Sequence, residues 1–211
     1  MNEALWLLGR GTGVAALLLL TLSMGLGVLT AGRYVSRQVP RYALTEIHRR
    51  ASLAATVLLG VHLVSLWADP VAQLRAVDVL VPFLGARNPV WWGLGTLALD
   101  LVAVLVVTGL LRSRMPYGVW RRLHWLSYAT WPLAFLHALG SGSDAGTWWL
   151  RGVALGCFVA VAAAAGYRLA GVDVEPSTGP RVRVSPPGPG GPETPEPASA
   201  ASPGWPRRPV G

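Results

Sequence analysis

The chain has 211 residues, of which 52% are hydrophobic and only 13% charged, with a mean hydropathy of +0.44. That balance excludes an ordinary soluble domain. Its net charge of +8 comes from 18 basic residues against 10 acids, but the basic residues stand in short clusters between apolar blocks. They form no continuous basic stripe, so no nucleic-acid interface is expected. All of them are arginine, a bias that points to a GC-rich, bacterial source. The single cysteine, Cys157, lies in an apolar run and excludes an internal disulfide, a CxxC pair or a thiolate cluster.

In chain order, the apolar blocks run over Gly13 to Ala31, Ile47 to Trp67, Val90 to Leu111, Leu123 to Leu139 and Trp148 to Leu169. Each is long enough to approach the roughly 30 Å of bilayer hydrocarbon, which predicts an all-α, polytopic bundle of five spans over residues 1–172. Arg33 follows the first block and no A-x-A pattern closes it, so this block is expected to stay as a span and not to leave as a signal peptide.

Arg33, Arg37, Arg41, Arg49 and Arg50 face a single acid, Glu46, between the first two spans. Arg112, Arg114, Arg121 and Arg122 face none between the third and fourth. The loop after the second span balances Arg75 and Arg87 with Asp69 and Asp78, and the loop after the fourth carries only Asp144. The positive-inside rule then puts the N-terminus outside and the C-terminus in the cytoplasm of a bacterial plasma-membrane protein. Val71 to Leu84 is apolar enough for a short interfacial helix, limited by Pro82. Residues 173–211, with PPGPGGPETPEP from Pro186, predict a disordered cytoplasmic tail. No nucleotide fingerprint occurs, so nicotinamide chemistry is expected from a separate partner.

The four histidines carry the chemistry. His48 and His62 lie on the second span, His124 and His137 on the fourth. Polar rings inside a span are costly and mark function by default. At about 1.5 Å per residue, each pair is separated by about 20 Å along its helix, too far to share a metal. The two spans are co-directional, so His48 comes level with His124 and His62 with His137. Structural zinc wants four ligands where each level offers two. Two axial imidazoles instead complete a six-coordinate heme iron.

Helical phase agrees on one span and not on the other. Fourteen steps of about 100° return His62 to within about 40° of His48, whereas thirteen leave His137 about 140° from His124. Pro132 lies between the second pair, and local rewinding is expected there.

H-x13-H on one span and H-x12-H two spans later, with GLGTLALDL from Gly93, WRRLHWLSYATWPLAFLHALGSGSDAG from Trp120 and HRR at His48, resemble the ferric reductase-like transmembrane domain. That domain is shared by ferric reductases, NADPH oxidases and the heme subunit of bacterial methionine sulfoxide reductase, and the likeness covers about residues 10 to 170. The resemblance implies two b hemes, with His48 and His124 on the cytoplasmic side and His62 and His137 on the outer side. The chain lacks the first helix and the FAD and NADPH domain of the larger oxidases.

An electron-transfer cytochrome b is therefore expected, an oxidoreductase subunit fed by a cytoplasmic flavoprotein or a quinol donor. Its acceptor lies outside the cytoplasm, either ferric iron or a periplasmic reductase such as a methionine sulfoxide reductase. A heme sensor or assembly protein is the alternative without turnover. An FMN site is neither shown nor excluded.

Arg49, Arg50, Arg121 and Arg122 stand beside the inner histidines and could pair with heme propionates; positive-inside anchoring accounts for them equally. Asp100, in mid-span, is the candidate for proton-linked catalytic chemistry, against a neutral carboxyl bonded to a neighbouring helix. Arg151 either meets the outer propionates or snorkels. Trp6, Trp67, Trp91, Trp92, Trp148 and Trp149 fit interfacial anchoring. Trp120, Trp125, Tyr128 and Trp131 crowd the fourth span, where packing explains them as well as a porphyrin wall does.

Overall fold

Backbone polar groups have no water to bond in hydrocarbon, so apolar runs of this length coil into helices. The computed structural model describes residues 3–31, 40–70, 72–84, 88–141 and 146–170. The expected tail and Arg33, Arg37, Arg87 and Asp144 lie outside the described residues. Every regular element described is helical: α1 (Glu3–Ala31), α2 (Arg41–Ala68), α3 (Ala76–Leu80), α4 (Pro89–Leu110), a 3-10 turn (Arg112–Arg114), α5 (Tyr117–His124), α6 (Ser127–Ser141) and α7 (Trp148–Leu169). Among them α1, α2, α4 and α7 are long and apolar enough to cross a membrane. Many large apolar side chains point outward along these helices, as a lipid-facing surface requires, among them Leu18, Leu53, Val64, Val107, Leu155 and Phe158.

Both α1 and α2 begin before their apolar blocks, α1 taking in Arg10 and α2 taking in Arg41 and Glu46. α1 packs along α2 and also touches α6 and α7, while α4 packs on α6. α2 and α6 make at most marginal backbone contact with each other. The core is small, built on Leu17 of α1, Trp131 of α6 and Cys157 of α7, with Leu20, Met24 and Phe135 against it. Cys157 is a buried free thiol in that core. Trp131 Nε1–H donates to Thr21 Oγ1 at 2.9 Å, which satisfies the one polar atom of the buried indole.

The interfacial helix expected within 71–84 is α3, which ends before Pro82. Asp78 caps it, accepting from the Arg75 backbone N–H at 3.1 Å and from the Arg75 guanidinium at 2.9 Å. The Asp78 carbonyl accepts from Thr96 Oγ1 at 2.7 Å, tying α3 onto α4. The hydrogen bond from the Arg75 guanidinium holds the Asp78 carboxyl below the usual carboxylate range. This lowered value makes the contribution to stability complete above the ordinary carboxylate range and lost as pH falls through the folded value. Acidification of the wild type is therefore expected to lower its melting temperature through this contact. Asp78→Asn should melt lower at neutral pH and lack that component of the acid response, measured by melting curves across acidic pH.

The largest departure from expectation is in the fourth apolar block. The helix is interrupted at Trp125 and Leu126, directly after His124, while Pro132 is carried inside α6. The rewinding expected at Pro132 thus occurs seven residues earlier, although neither glycine nor proline stands at the break. Three tight bonds mark it: Leu126 N–H to Leu123 O, Tyr128 N–H to Trp125 O and Ala129 N–H to Leu126 O, each 3.0 Å. Such i to i+3 turns rotate the chain by about 120° per residue instead of about 100°, and rise about 2.0 Å instead of about 1.5 Å. Overwinding of this sign narrows the phase gap between His124 and His137, by about 20° for each tightened residue. It also lengthens their axial separation toward the about 21 Å of the other pair.

Candidate functional site

Three of the four histidines are seated in the same way. His62 Nδ1–H donates to the carbonyl of Gly9 at 2.6 Å, and its ring lies on Gly13, where a Cβ would stand 2.9 Å from Cε1. His48 Nδ1–H donates to the carbonyl of Ser23 at 2.9 Å, with its ring over Gly27. His137 Nδ1–H donates to the carbonyl of Trp91 at 2.8 Å, and its ring is pressed on Gly95 so closely that a Cβ there would overlap it. In each case the accepting carbonyl belongs to the residue four before the glycine. One helical turn thus supplies both the hydrogen-bond acceptor and the gap that lets a ring reach it.

A carbonyl only accepts, so these bonds place the proton on Nδ1 and leave the Nε2 lone pair of each neutral ring available to a metal. Around His48 the network has a definite direction. Ser52 Oγ–H donates to the His48 carbonyl at 2.8 Å, which leaves Ser23 Oγ–H to donate to Ser52 Oγ at 2.6 Å. Ser23 Oγ then accepts from His48 Nδ1–H at 3.1 Å, agreeing with the same tautomer.

The rings gather at two levels. His48 and His124 have ring centroids 6.2 Å apart at 84°. Two imidazole–metal bonds of about 2 Å each occupy most of such a gap. His62 and His137 line one cavity of about 330 Å³ together with Gly13, Gly95, Trp92 and Arg10, within the range of cofactor sites. Among the described residues no cluster of three or more His, Cys, Asp or Glu could hold a metal ion by itself.

His124 differs from the other three. Its ring stacks on Trp120 at 4.9 Å and 16°, and the Arg112 guanidinium lies 4.7 Å from the same indole. Among the described residues no backbone carbonyl holds its Nδ1.

The arginines expected beside the inner level are turned elsewhere. Arg49 and Arg50 pair with Glu46 at 3.1 and 2.6 Å and are largely exposed. Arg121 lies 5.9 Å from the Trp125 ring, and Arg122 is exposed. Arg151 is exposed at the start of α7. Asp100 is half-buried in α4, does not line the cavity, and has no ion pair or hydrogen bond among the described residues. Two cations that sequence reasoning passed over stand closer to the histidines. Arg112 reaches the inner level through Trp120, and Arg10 lines the outer cavity between Trp6 at 4.6 Å and Trp149 at 5.1 Å. The signal for Arg10 was a lone cation one turn before the first apolar block.

Apolar helices and paired, pre-oriented imidazoles at two depths define a polytopic membrane domain with two candidate metal-ligand levels. Residues 12–135, more than half of the chain, match the ferric reductase like transmembrane component, and the chain belongs to that family. The matched stretch contains His48, His62 and His124 and stops just short of His137. No match was found among curated proteins or among solved structures.

Proposed function

We propose that this ferric reductase-like transmembrane domain carries electrons across the bilayer through two b-type hemes, an inner one held by His48 and His124 and an outer one by His62 and His137. The observation that carries the reading is the seating of His48, His62 and His137. A backbone carbonyl on Nδ1–H is the usual partner that fixes the plane and tautomer of a metal-ligating histidine and raises its basicity. The residues fit the group in two further respects. Glycines clear the space beside the rings, and α2 and α6 stand apart with an apolar cavity between their outer histidines. Hemes held there by these four histidines would supply one-electron redox chemistry.

The chain's own residues then have defined tasks. The four imidazoles donate Nε2. The carbonyls of Gly9, Ser23 and Trp91 hold three of them in register, and Arg10 stands where it can pair with an anionic edge of the outer group. The apolar helix faces exclude water from the path between the levels. α5 and α6 together form the fifth crossing. The 15 residues of α6 reach about 22 Å, short of the about 30 Å of hydrocarbon, and the tightened turn with the end of α5 supplies the remainder. The N-terminus then lies outside and the C-terminus in the cytoplasm. Arg121 and Arg122, exposed on α5, steer an acidic cytoplasmic flavoprotein donor, and the acceptor binds on the outer side.

Oxidised and reduced spectra with heme-to-protein ratios of single variants test this reading. His62→Ala and His137→Ala are expected to lose the same heme, and His48→Ala and His124→Ala the other. Losses that follow helix membership, or a wild type purified from heme-replete cells without heme, would overturn it.

A further inference from the structure

The seats are arranged with a regularity that leaves one of them open. On α1 the seat glycines Gly13 and Gly27 are fourteen residues apart, the same separation as the histidines they receive on α2. On α4 the occupied seat is Gly95, and fourteen residues further on stands Gly109. An interval of fourteen residues returns to nearly the same helix face, so Gly109 shares the face of α4 that receives His137. A Cβ at Gly109 would meet nothing within 4 Å. His124, which has no carbonyl partner among the described residues, lies at the end of α5, and α4 packs against α5.

Local chemistry at Gly109 repeats that of a seat in use. Before Gly13, Thr12 Oγ1 donates to Leu8 O at 2.6 Å and to Gly9 O at 3.1 Å, and Gly9 O still accepts from His62. Before Gly109, Thr108 Oγ1 donates to Val104 O at 2.7 Å and to Leu105 O at 3.2 Å. The Thr-Gly pair, both hydroxyl bonds and the carbonyl four residues before the glycine all recur. Only the ring is missing.

Building on the two-heme reading, we infer that Leu105 O and Gly109 form the fourth seat, taken by His124 when the inner heme is bound. At 6.2 Å from His48 the His124 ring already stands at ligand spacing. What it lacks is the bond from Nδ1–H that fixes its tautomer and plane, and Gly109 leaves room for the ring to turn off Trp120 and make it. The turn at Trp125 and Leu126, directly after His124, is where the backbone can adjust. Gly109 and Leu105 are thus positioning residues, acting through His124.

Gly109→Leu separates this from a structural role. In the present arrangement a leucine at 109 projects into open space and replaces a poor helix former by a good one, so a glycine without a seating role predicts a stable protein with both hemes. The seat predicts a heme-to-protein ratio falling from two to one, or an inner heme retained with altered electron paramagnetic resonance g values and a raised midpoint potential, because its ligand has lost a basicity-raising hydrogen bond. The outer heme should stay, and its spectrum reports that the bundle is folded. Gly109→Leu/His62→Ala should hold one heme fewer than Gly109→Leu. Gly152→Leu, on α7 with equally open surroundings, should keep both hemes. Two hemes with wild-type potentials and g values in Gly109→Leu would overturn the seat and leave the two-heme reading standing. A heme-free wild type would instead remove the reading beneath it.

Discussion

Gly95→Ala is expected to cost the purified protein its outer heme while the inner one stays. Alanine usually stabilises a helix relative to glycine, by about 1 kcal/mol. Here the added methyl coincides with the His137 ring, and making room for both by backbone movement would separate α4 from α6, which pack against each other. The ring must therefore leave the Trp91 carbonyl. Overpacking of this kind costs about 1–3 kcal/mol, and the displaced imidazole no longer presents Nε2 to the cavity it shares with His62.

Closeness of approach sets a rank order. At Gly13 a Cβ would stand 2.9 Å from His62 Cε1, so Gly13→Ala should weaken the outer heme without abolishing it. At Gly27 the nearest atom of His48 is 3.5 Å away, an ordinary contact, and Gly27→Ala should leave the inner heme in place. Heme-to-protein ratios and reduced spectra of the three variants read the order directly. A Gly95→Ala protein with two unperturbed hemes would show that His137 does not act from the position described.

The histidine levels were legible in the sequence because they rest on two robust quantities, the rise of a helix and the alternation of span direction. Interruption after His124 was not. Helix breaks are read from proline and glycine, and Trp125 and Leu126 are neither; the tightening there follows from placing His124 beside α4 and His137 on it. Pro132 drew the expectation because it is a visible breaker, yet a proline inside α6 is accommodated within the helix. The glycine seats were hidden for a different reason. Glycine is common in membrane helices, and only the preceding Thr12 distinguishes Gly13 in sequence from Gly11, beside which a Cβ meets no atom within 4 Å. The interval of fourteen between Gly13 and Gly27 does not single them out, because Gly11 and Gly25 share it without receiving a ring; the contacts of the histidine rings do. Adjacency to His48 made Arg49 and Arg50 candidates for the propionates, with positive-inside anchoring an equal alternative, and residues adjacent on a helix point about 100° apart. Glu46, three and four positions before them, is their natural partner.

Trp131→Ala should be the most damaging substitution outside the histidine levels. In lipid the driving force for helix association is packing and hydrogen bonding, since exposed apolar surface is already solvated by acyl chains. A core this small then depends on the few side chains that bridge helices. Trp131 is one of them, reaching from α6 to Thr21 on α1 and stacking on Phe135 at 5.1 Å. Its removal leaves a void next to Leu17 and Cys157. Core tryptophan truncations cost about 3–5 kcal/mol in water-soluble proteins, and the lower end of that range is expected where the transfer contribution is absent. Trp131→Phe retains most of the volume and loses one hydrogen bond, about 1 kcal/mol, because Thr21 Oγ1–H keeps its bond to Leu17 O at 2.8 Å. Unfolding of detergent-solubilised protein, followed by loss of the reduced heme bands during denaturant titration, would measure both. Equal midpoints for the two variants would show that the indole contributes through its hydrogen bond and not through the space it fills, and the joint between α1, α6 and α7 would then have to lie elsewhere.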